Sequence, residues 1–316
     1  VFTPDHITSL MYKILEVNAN DKILDAACGS GAFLVKSMSN MIKEVGGINT
    51  KEAKKIKEHS LFGIEFDREI FALACANMMI HKDGKTNLEQ LDSRDKEASE
   101  WIKSKGITKV LMNPPFERKY GCKKIVENVL NSDPSSIKCA FKMPEKKMEK
   151  DKMGKLLEKH HLEAIIKLPE KLFDAGVTTS IYVFETGKKQ VGEIYGCYIE
   201  DDGLERVKNQ GRQDIKDKWM ELENYWVDSI RKRNDTKYGT SQWIDPKKFL
   251  SYQKPKAEFV LYEEDFVKTM MNYLMFKNKI DVKEFSDKLI NKTLYNSEIL
   301  KEDNNIVIKI KDAEDE

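Results

Sequence analysis

Short apolar runs alternate with amphipathic stretches over the first two-thirds of the chain, and their spacing predicts strands separated by helices. Runs near residues 22–25, 61–65, 87–91, 107–112, 136–141, 163–168 and 180–185 are mostly apolar and read as strands. Ala32 to about Val45 and the more charged Lys51 to His59 read as helices between them. This alternation predicts an α/β fold, a doubly wound, Rossmann-like sheet. After Gly187 the pattern changes. Tyr195 to Ile199 reads as one further strand, and Asn209 to Lys218 is polar and loop-like. From Glu263 a helical period returns, with Phe266, Met270, Tyr273 and Leu274 on one face. These shifts divide the chain into a core at 1–187, a mixed segment at 188–262 and a largely helical extension at 263–316 with an acidic tail.

The loop after the fourth run carries the strongest chemical signal. Asn113-Pro114-Pro115-Phe116 follows Val110-Leu111-Met112, and so sits at a strand's carboxyl end, where ligands collect in open α/β sheets. Two prolines stiffen the loop and remove its N–H donors, leaving carbonyls outside the ladder. An amide, a carbonyl and an aromatic face on one rigid loop suit a planar ring that bears an amine. Asn113 and the Pro114 carbonyl can accept the two amine protons, and Phe116 can stack on the ring. A Pro-rich turn with a buried Phe explains the tetrapeptide equally well in isolation. The motifs upstream shift the balance.

The first strand ends in Asp25 and leads into Ala26-Ala27-Cys28-Gly29-Ser30-Gly31-Ala32-Phe33. Gly29 and Gly31 permit a tight strand-to-helix turn that a ligand can approach closely. Leu34 stands where a dinucleotide fingerprint has its third glycine, which weighs against a nicotinamide oxidoreductase. Asp25 instead suits an ammonium group. The second strand closes on Glu65, suited to the hydroxyls of a ribose, and the third on Asp92, where an adenine amine could be bonded. The charged stretch Lys51 to His59 accounts for the long separation of Gly31 from Glu65.

Taken in this order, the Asp25-to-Gly31 turn, Glu65, Asp92 and Asn113-Pro114-Pro115-Phe116 resemble the N6-adenine DNA methyltransferase family. More narrowly, the chain is similar to the modification subunits of type I restriction–modification systems. Phe2-Thr3-Pro4 with Asp5-His6-Ile7 resembles the motif that lies over the methionine part of S-adenosylmethionine. Leu162 to Phe173 and Thr179 to Phe184 resemble the later core, and Glu200-Asp201-Asp202-Gly203 the post-core segment.

The resemblance implies a seven-stranded sheet whose last two strands form an antiparallel edge. It implies S-adenosylmethionine held by Thr3, Pro4, Asp25, Cys28, Gly29, Gly31, Phe33, Glu65, Phe66 and Asp92, and catalysis by Asn113, Pro114, Pro115 and Phe116 without a metal. The substrate would be an adenine flipped out of double-stranded DNA. Partners would be a separate DNA-specificity subunit, with a restriction subunit as a further candidate. Such modification subunits carry a helical domain ahead of the Phe-Thr-Pro motif, so the chain reads as a fragment of a longer protein. An RNA base, a protein glutamine, or a silent cofactor-binding assembly role stand as alternatives.

Composition narrows the setting. With 316 residues, 40% of them hydrophobic, and no long apolar run, neither a membrane span nor a signal peptide is indicated, which suits a cytoplasmic enzyme. Five widely spaced cysteines without a Cys-x-x-Cys pair argue against zinc and against a disulfide scaffold. A net charge of +1 is low for a protein that holds a polyanion unaided, so phosphate contacts must be local. Arg118, Lys119, Lys123 and Lys124, just beyond the Pro-Pro loop, are the candidates. The Lys-rich stretch from Lys142 to Lys159 is interleaved with acids and reads as a solvated helical face. His160 and His161 read as surface residues, and Trp219, Trp226 and Trp243 as packing anchors.

Overall fold

The computed structural model describes residues 3–81, 87–116, 121–148, 154–170, 172, 178–208, 211–255, 261–295, 297–302 and 305–310. The chain divides into two compact units, Val1–Lys254 and Pro255–Glu316. All seven predicted strands form in the first unit, with ends shifted by a few residues. They are β1 (Ile23–Asp25), β2 (Leu61–Ile64), β3 (Asn87–Glu89), β4 (Lys109–Met112), β5 (Lys138–Pro144), β6 (His161–Lys167) and β7 (Thr179–Glu185).

The sheet is wider than expected. β8 (Ile194–Tyr198) and β11 (Ser241–Ile244) join it, giving nine strands in the order β11-β8-β6-β7-β5-β4-β1-β2-β3. β7 is antiparallel to both β5 and β6, while β6 runs parallel to β8. The antiparallel strand therefore lies inside the sheet and not at its edge. The reason is visible in β8, which is buried at every position and covers the open side of β6. The segment between β8 and β11 holds a small antiparallel pair, β9 (Glu205–Val207) with β10 (Gly211–Gln213), and β10 falls inside the stretch read as loop.

Helices cover both faces. On one face lie α1 (Asp5–Ile14), α2 (Ala32–Glu44), α3 (Lys51–His59), α4 (Arg68–Ile80) and α7 (Trp219–Lys232). On the other lie α5 (Lys96–Lys105) and α6 (Cys122–Ser132). Strand residues alternate between the two cores: Ile23, Leu111 and Ala140 face the first, while Leu24, Val110, Met112 and Phe141 face the second. Local chemistry sets the helix starts. Thr50 Oγ1 accepts the Ala53 N–H at 3.0 Å to open α3, and Asp67 Oδ1 accepts from Glu69 and Ile70 to open α4.

Two surface expectations are corrected. His160 is buried, not exposed: it pairs with Asn131 Oδ1 at 2.9 Å and its Nδ1 accepts the Gly187 N–H at 3.2 Å, which closes the turn after β7. Trp219 and Trp226 anchor the first core as expected, but Trp243 is 51% exposed on the edge strand β11, where it leans edge-on against Tyr195.

The second unit contains α8 (Glu263–Lys277), α9 (Val282–Tyr295) and an antiparallel hairpin of β12 (Ser297–Glu302) with β13 (Asn305–Ile310). A largely helical extension was expected. The run Ile306-Val307-Ile308 is β-branched, which favours the extended backbone seen there. Phe266, Met270, Tyr273 and Leu274 lie on α8 and are exposed. The acidic tail lies outside the described residues.

Candidate active site at the strand tips

β3, β2, β1, β4 and β5 are mutually parallel neighbours, so their carboxyl ends share one edge. The loops leaving them place Asp92, Glu65, the Gly29 turn and Asn113 in a row. β4 sits beside β1 where the strand order reverses, the position at which open α/β sheets bind ligands.

The turn after β1 is held by its backbone. Asp25 Oδ1 accepts the Ala27 N–H at 3.1 Å, Cys28 N–H donates to the Ile64 carbonyl at 3.0 Å, and Asn77 Nδ2 donates to the Ser30 carbonyl at 2.8 Å. Gly29 and Gly31 have φ of 55° and 80°, which L side chains resist. A Cβ at Gly29 would meet nothing within 4 Å, so this corner opens onto free space. Asp25 itself is only 1% exposed. Burial raises its pKa to about 7, against the lowering effect of the Ala27 N–H and with a further push from Glu65. Cys28 and Phe33, expected at the ligand, are packed into the core beneath the turn, and the Cys28 thiol is pushed up by that burial.

Glu65 is half-buried at the tip of β2. Its Oε2 accepts the Gly29 N–H and its Oε1 the Asp67 N–H, both at 3.0 Å. These two bonds orient the carboxylate and leave it lone-pair capacity. Asp92 is engaged by a residue that the sequence did not single out. Arg94 Nε lies 2.8 and 3.0 Å from the Asp92 oxygens, its Nη2 forms a further bond, and the guanidinium carbon stands 5.7 Å from the Phe66 ring centroid. The Arg94 bonds hold the Asp92 carboxyl below the usual range. Phe66 is 57% exposed. Arg94 thus ties together the two residues expected at an adenine ring.

After β4, Pro114 is buried while Asn113, Pro115 and Phe116 are half-buried. Lys142 of β5 reaches this loop. Its Nζ donates to Asn113 Oδ1 at 3.2 Å and lies 4.7 Å from the Phe116 ring centroid. Lys142 is wholly buried, and burial lowers its pKa to about 7. This corrects the solvated helical face expected from Lys142. β5 continues to Pro144, and its alternation puts Lys142 on the same side as Ala140, at the level of Asn113. An apolar neighbour on each side, Phe141 and Met143, was the available sequence signal. One residue past β5, Glu145 accepts from Ser180 Oγ at 2.9 Å and from Lys167 Nζ at 3.2 Å.

The N-terminal motif begins with Phe2, outside the described residues. Thr3 and Pro4 are half-buried, and the Pro4 carbonyl accepts the first α1 amides, from Ile7 and Thr8. Of the candidate phosphate contacts, Arg118 and Lys119 also fall outside the described residues. Lys123 pairs with Glu127 at 3.4 Å on α6, and Lys124 is exposed in the first turn of that helix. Among the described residues, no cluster of three or more His, Cys, Asp or Glu could hold a metal, and no helix is long and apolar enough to cross a membrane.

Residues 1–148 match the family model described as N-6 DNA Methylase. The chain is 30% identical over 307 residues to the type II restriction enzyme and methyltransferase RM.BcgI of Heyndrickxia coagulans, covering 88% of this chain and 46% of that protein. It is 22% identical over 211 residues to the type I restriction enzyme EcoEI methylase subunit of Escherichia coli, covering 59% and 42%. The chain thus spans about half the length of the curated relatives it matches. Two solved structures share the fold. One is the type I restriction enzyme EcoKI M protein, with TM-score 0.57, 16% identity and coverage of 67% and 51%. The other, from work on assembly of a type I R-M system, has TM-score 0.62, 18% identity and coverage of 92% and 66%. Residues 1–148, which hold the glycine turn and the Asn-Pro-Pro-Phe loop, are thus similar to the N-6 DNA methylase family.

Proposed function

We propose that this chain carries the catalytic centre of a DNA methyltransferase that transfers a methyl group from S-adenosylmethionine to N6 of adenine, as the modification component of a type I-like restriction–modification system. The residues present suit a donor with an amino-acid head group, a ribose and a purine. Open space over Gly29 and the Asp25 carboxyl below suit the head group, Glu65 the ribose, and the exposed Phe66 face with Asp92 the purine. S-adenosylmethionine supplies a methyl group activated on a sulfonium.

The chain's own residues then solve a different problem. An adenine N6 lone pair is delocalised into its ring, and a base inside a duplex is out of reach. Extrusion costs a few kcal/mol, which stacking on Phe116 partly offsets. The Asn113 amide oxygen and the Pro114 carbonyl accept the two N6–H bonds, favouring a tetrahedral nitrogen whose lone pair points at the methyl group. Two prolines hold these acceptors still, so alignment and near-attack distance carry the rate more than a strong base does. Lys123 and Lys124 are placed just past this loop to meet phosphates beside the extruded base, together with Arg118 and Lys119 of the same cluster. Double-stranded DNA and a separate DNA-specificity subunit are the partners, and a restriction subunit completes the system. Relatives that are methylase subunits support this assignment.

One observation carries the reading: Asn113-Pro114-Pro115-Phe116 leaves β4 beside the Gly29 turn of β1, at the strand-order switch. Replacing Asn113 by Ala should abolish transfer of labelled methyl groups to DNA in the full-length protein with its native partners. Affinity for S-adenosylmethionine by calorimetry should stay within a few-fold. Near-normal turnover of that variant would refute the assignment.

A further inference from the structure

Lys142 is an unusual occupant of its place. A lysine that is 0% exposed in the middle of a sheet costs stability, because the interior disfavours its charged form. A methionine of similar length would pack there without that penalty. Among the described residues, the amine contacts the loop assigned above to the base at two points. It donates to Asn113 Oδ1 at 3.2 Å and stands over Phe116 at 4.7 Å from the ring centroid.

We infer that Lys142 is the positioning residue of the transfer site, fixing the Asn113 amide and backing the Phe116 ring so that both face the incoming base in one orientation. This rests on the function proposed for Asn113 and Phe116. An Asn amide can turn over to exchange its oxygen and nitrogen, and only the oxygen can accept from an amine. A donor anchored on β5 selects the rotamer that keeps Oδ1 on its side, and an amide oxygen has two lone pairs, so bonding Lys142 is compatible with bonding a substrate amine. An amine over one face of an aromatic ring also reserves that face, leaving stacking to the opposite one, and cation–π attraction holds the ring against it.

The test compares Lys142→Met, which fills the space without a donor, with Lys142→Gln, which is one bond shorter than lysine but restores an N–H donor. Both are measured in the full-length protein with its native partners. Met should lower kcat about ten- to a hundredfold while the dissociation constant for S-adenosylmethionine is unchanged, and Gln should recover most of that loss. A structural role would move stability and both constants together, and would not separate Gln from Met. Equal turnover of the Met and Gln variants, whether both normal or both impaired, overturns the inference. If Met fails to fold, Gln decides alone, and a Gln variant without activity but with intact cofactor binding overturns it too. Asn113→Ala is run in parallel. An active Asn113→Ala sinks the proposed function itself, whereas an inactive one beside a fully active Lys142→Met sinks only the role given to Lys142.

Discussion

Buried beneath the glycine turn and close to the Glu65 carboxylate, Asp25 has its pKa raised to about 7. The unfolded chain would ionise this group near pH 3.9. The folded state therefore holds the extra proton between those values. The contribution of Asp25 to stability is complete below the lower value and is lost as pH rises through about 7. From pH 6 to pH 8 the loss should be about 1 kcal/mol by urea denaturation without cofactor, and Asp25→Asn should remove that slope. A ligand ammonium favours the ionised form, so affinity for S-adenosylmethionine should rise over the same interval. A flat affinity profile from pH 6 to 8 would remove Asp25 from the head-group site. At this scale the sequence was informative where a motif is contiguous. Asn113 to Phe116 and Asp25 to Gly31 could be read because each is one loop with unusual residues in fixed order. Lys142 could not, because it matters only through the neighbouring strand that brings it to Asn113, and Arg94, two residues past Asp92 in the same loop, belongs to no unusual run of residues.

The elements around the glycine turn explain why the missing third glycine does no harm. Leu34, in that position, is fully buried on α2. The close approach is provided from the neighbouring strand instead, because Gly63 of β2 faces it. A Cβ at Gly63 would lie 2.5 Å from Leu88 Cδ2, 2.9 Å from Leu34 Cδ1 and 3.2 Å from Cys28 Sγ. Glycine has moved from the helix to the strand, and the turn stays seated on the Ile64 carbonyl through Cys28. Reading Leu34 as a departure from the dinucleotide pattern was possible from sequence. Seeing what replaced the third glycine was not, since that depends on the register of β1 with β2, Asp25 opposite Gly63. Gly63→Val should therefore overpack this contact and destabilise the first unit by about 1–3 kcal/mol, with Gly63→Ala at the low end. It should also weaken cofactor binding, because Cys28 belongs to the turn. If Gly63→Val left both the denaturation midpoint and the cofactor affinity unchanged, Leu34 and Leu88 would have to be making room at no cost.

At the scale of the molecule, the boundary expected after residue 187 runs through a single folded unit. β8 pairs with β6, β11 pairs with β8, and α7 adds Trp219, Trp226, Val227 and Ile230 to the first core. The post-core segment also grips the N-terminal helix. His6 Nε2 lies 3.1 Å from Asp202 Oδ2, Arg212 bonds the other Asp202 oxygen, and Lys13 pairs with Glu223 at 2.5 Å. Burial pushes the Asp202 carboxyl up, but the His6 hydrogen bond and the Arg212 charge outweigh it and keep it ionised. Sequence patterning saw a change of texture after Gly187 and could not see that the new texture folds back. Strand pairing between β6 and β8 and an ion pair across 210 residues leave no local trace. A chain cut after residue 187 would expose the edge of β6 and uncover α1, and an open apolar edge strand is an aggregation hazard. We expect such a chain to be insoluble or to unfold without cooperativity. A chain cut after Lys254 keeps every one of these contacts and should retain one sharp transition with the midpoint of that unit in the whole chain. Circular dichroism melts of the two truncations decide the matter. Should the shorter chain melt as sharply and as high as the longer one, β8, α7 and β11 are decoration on the seven-stranded core sheet. If it does not, they are part of what holds α1, and the Thr3-Pro4 segment ahead of it, in place.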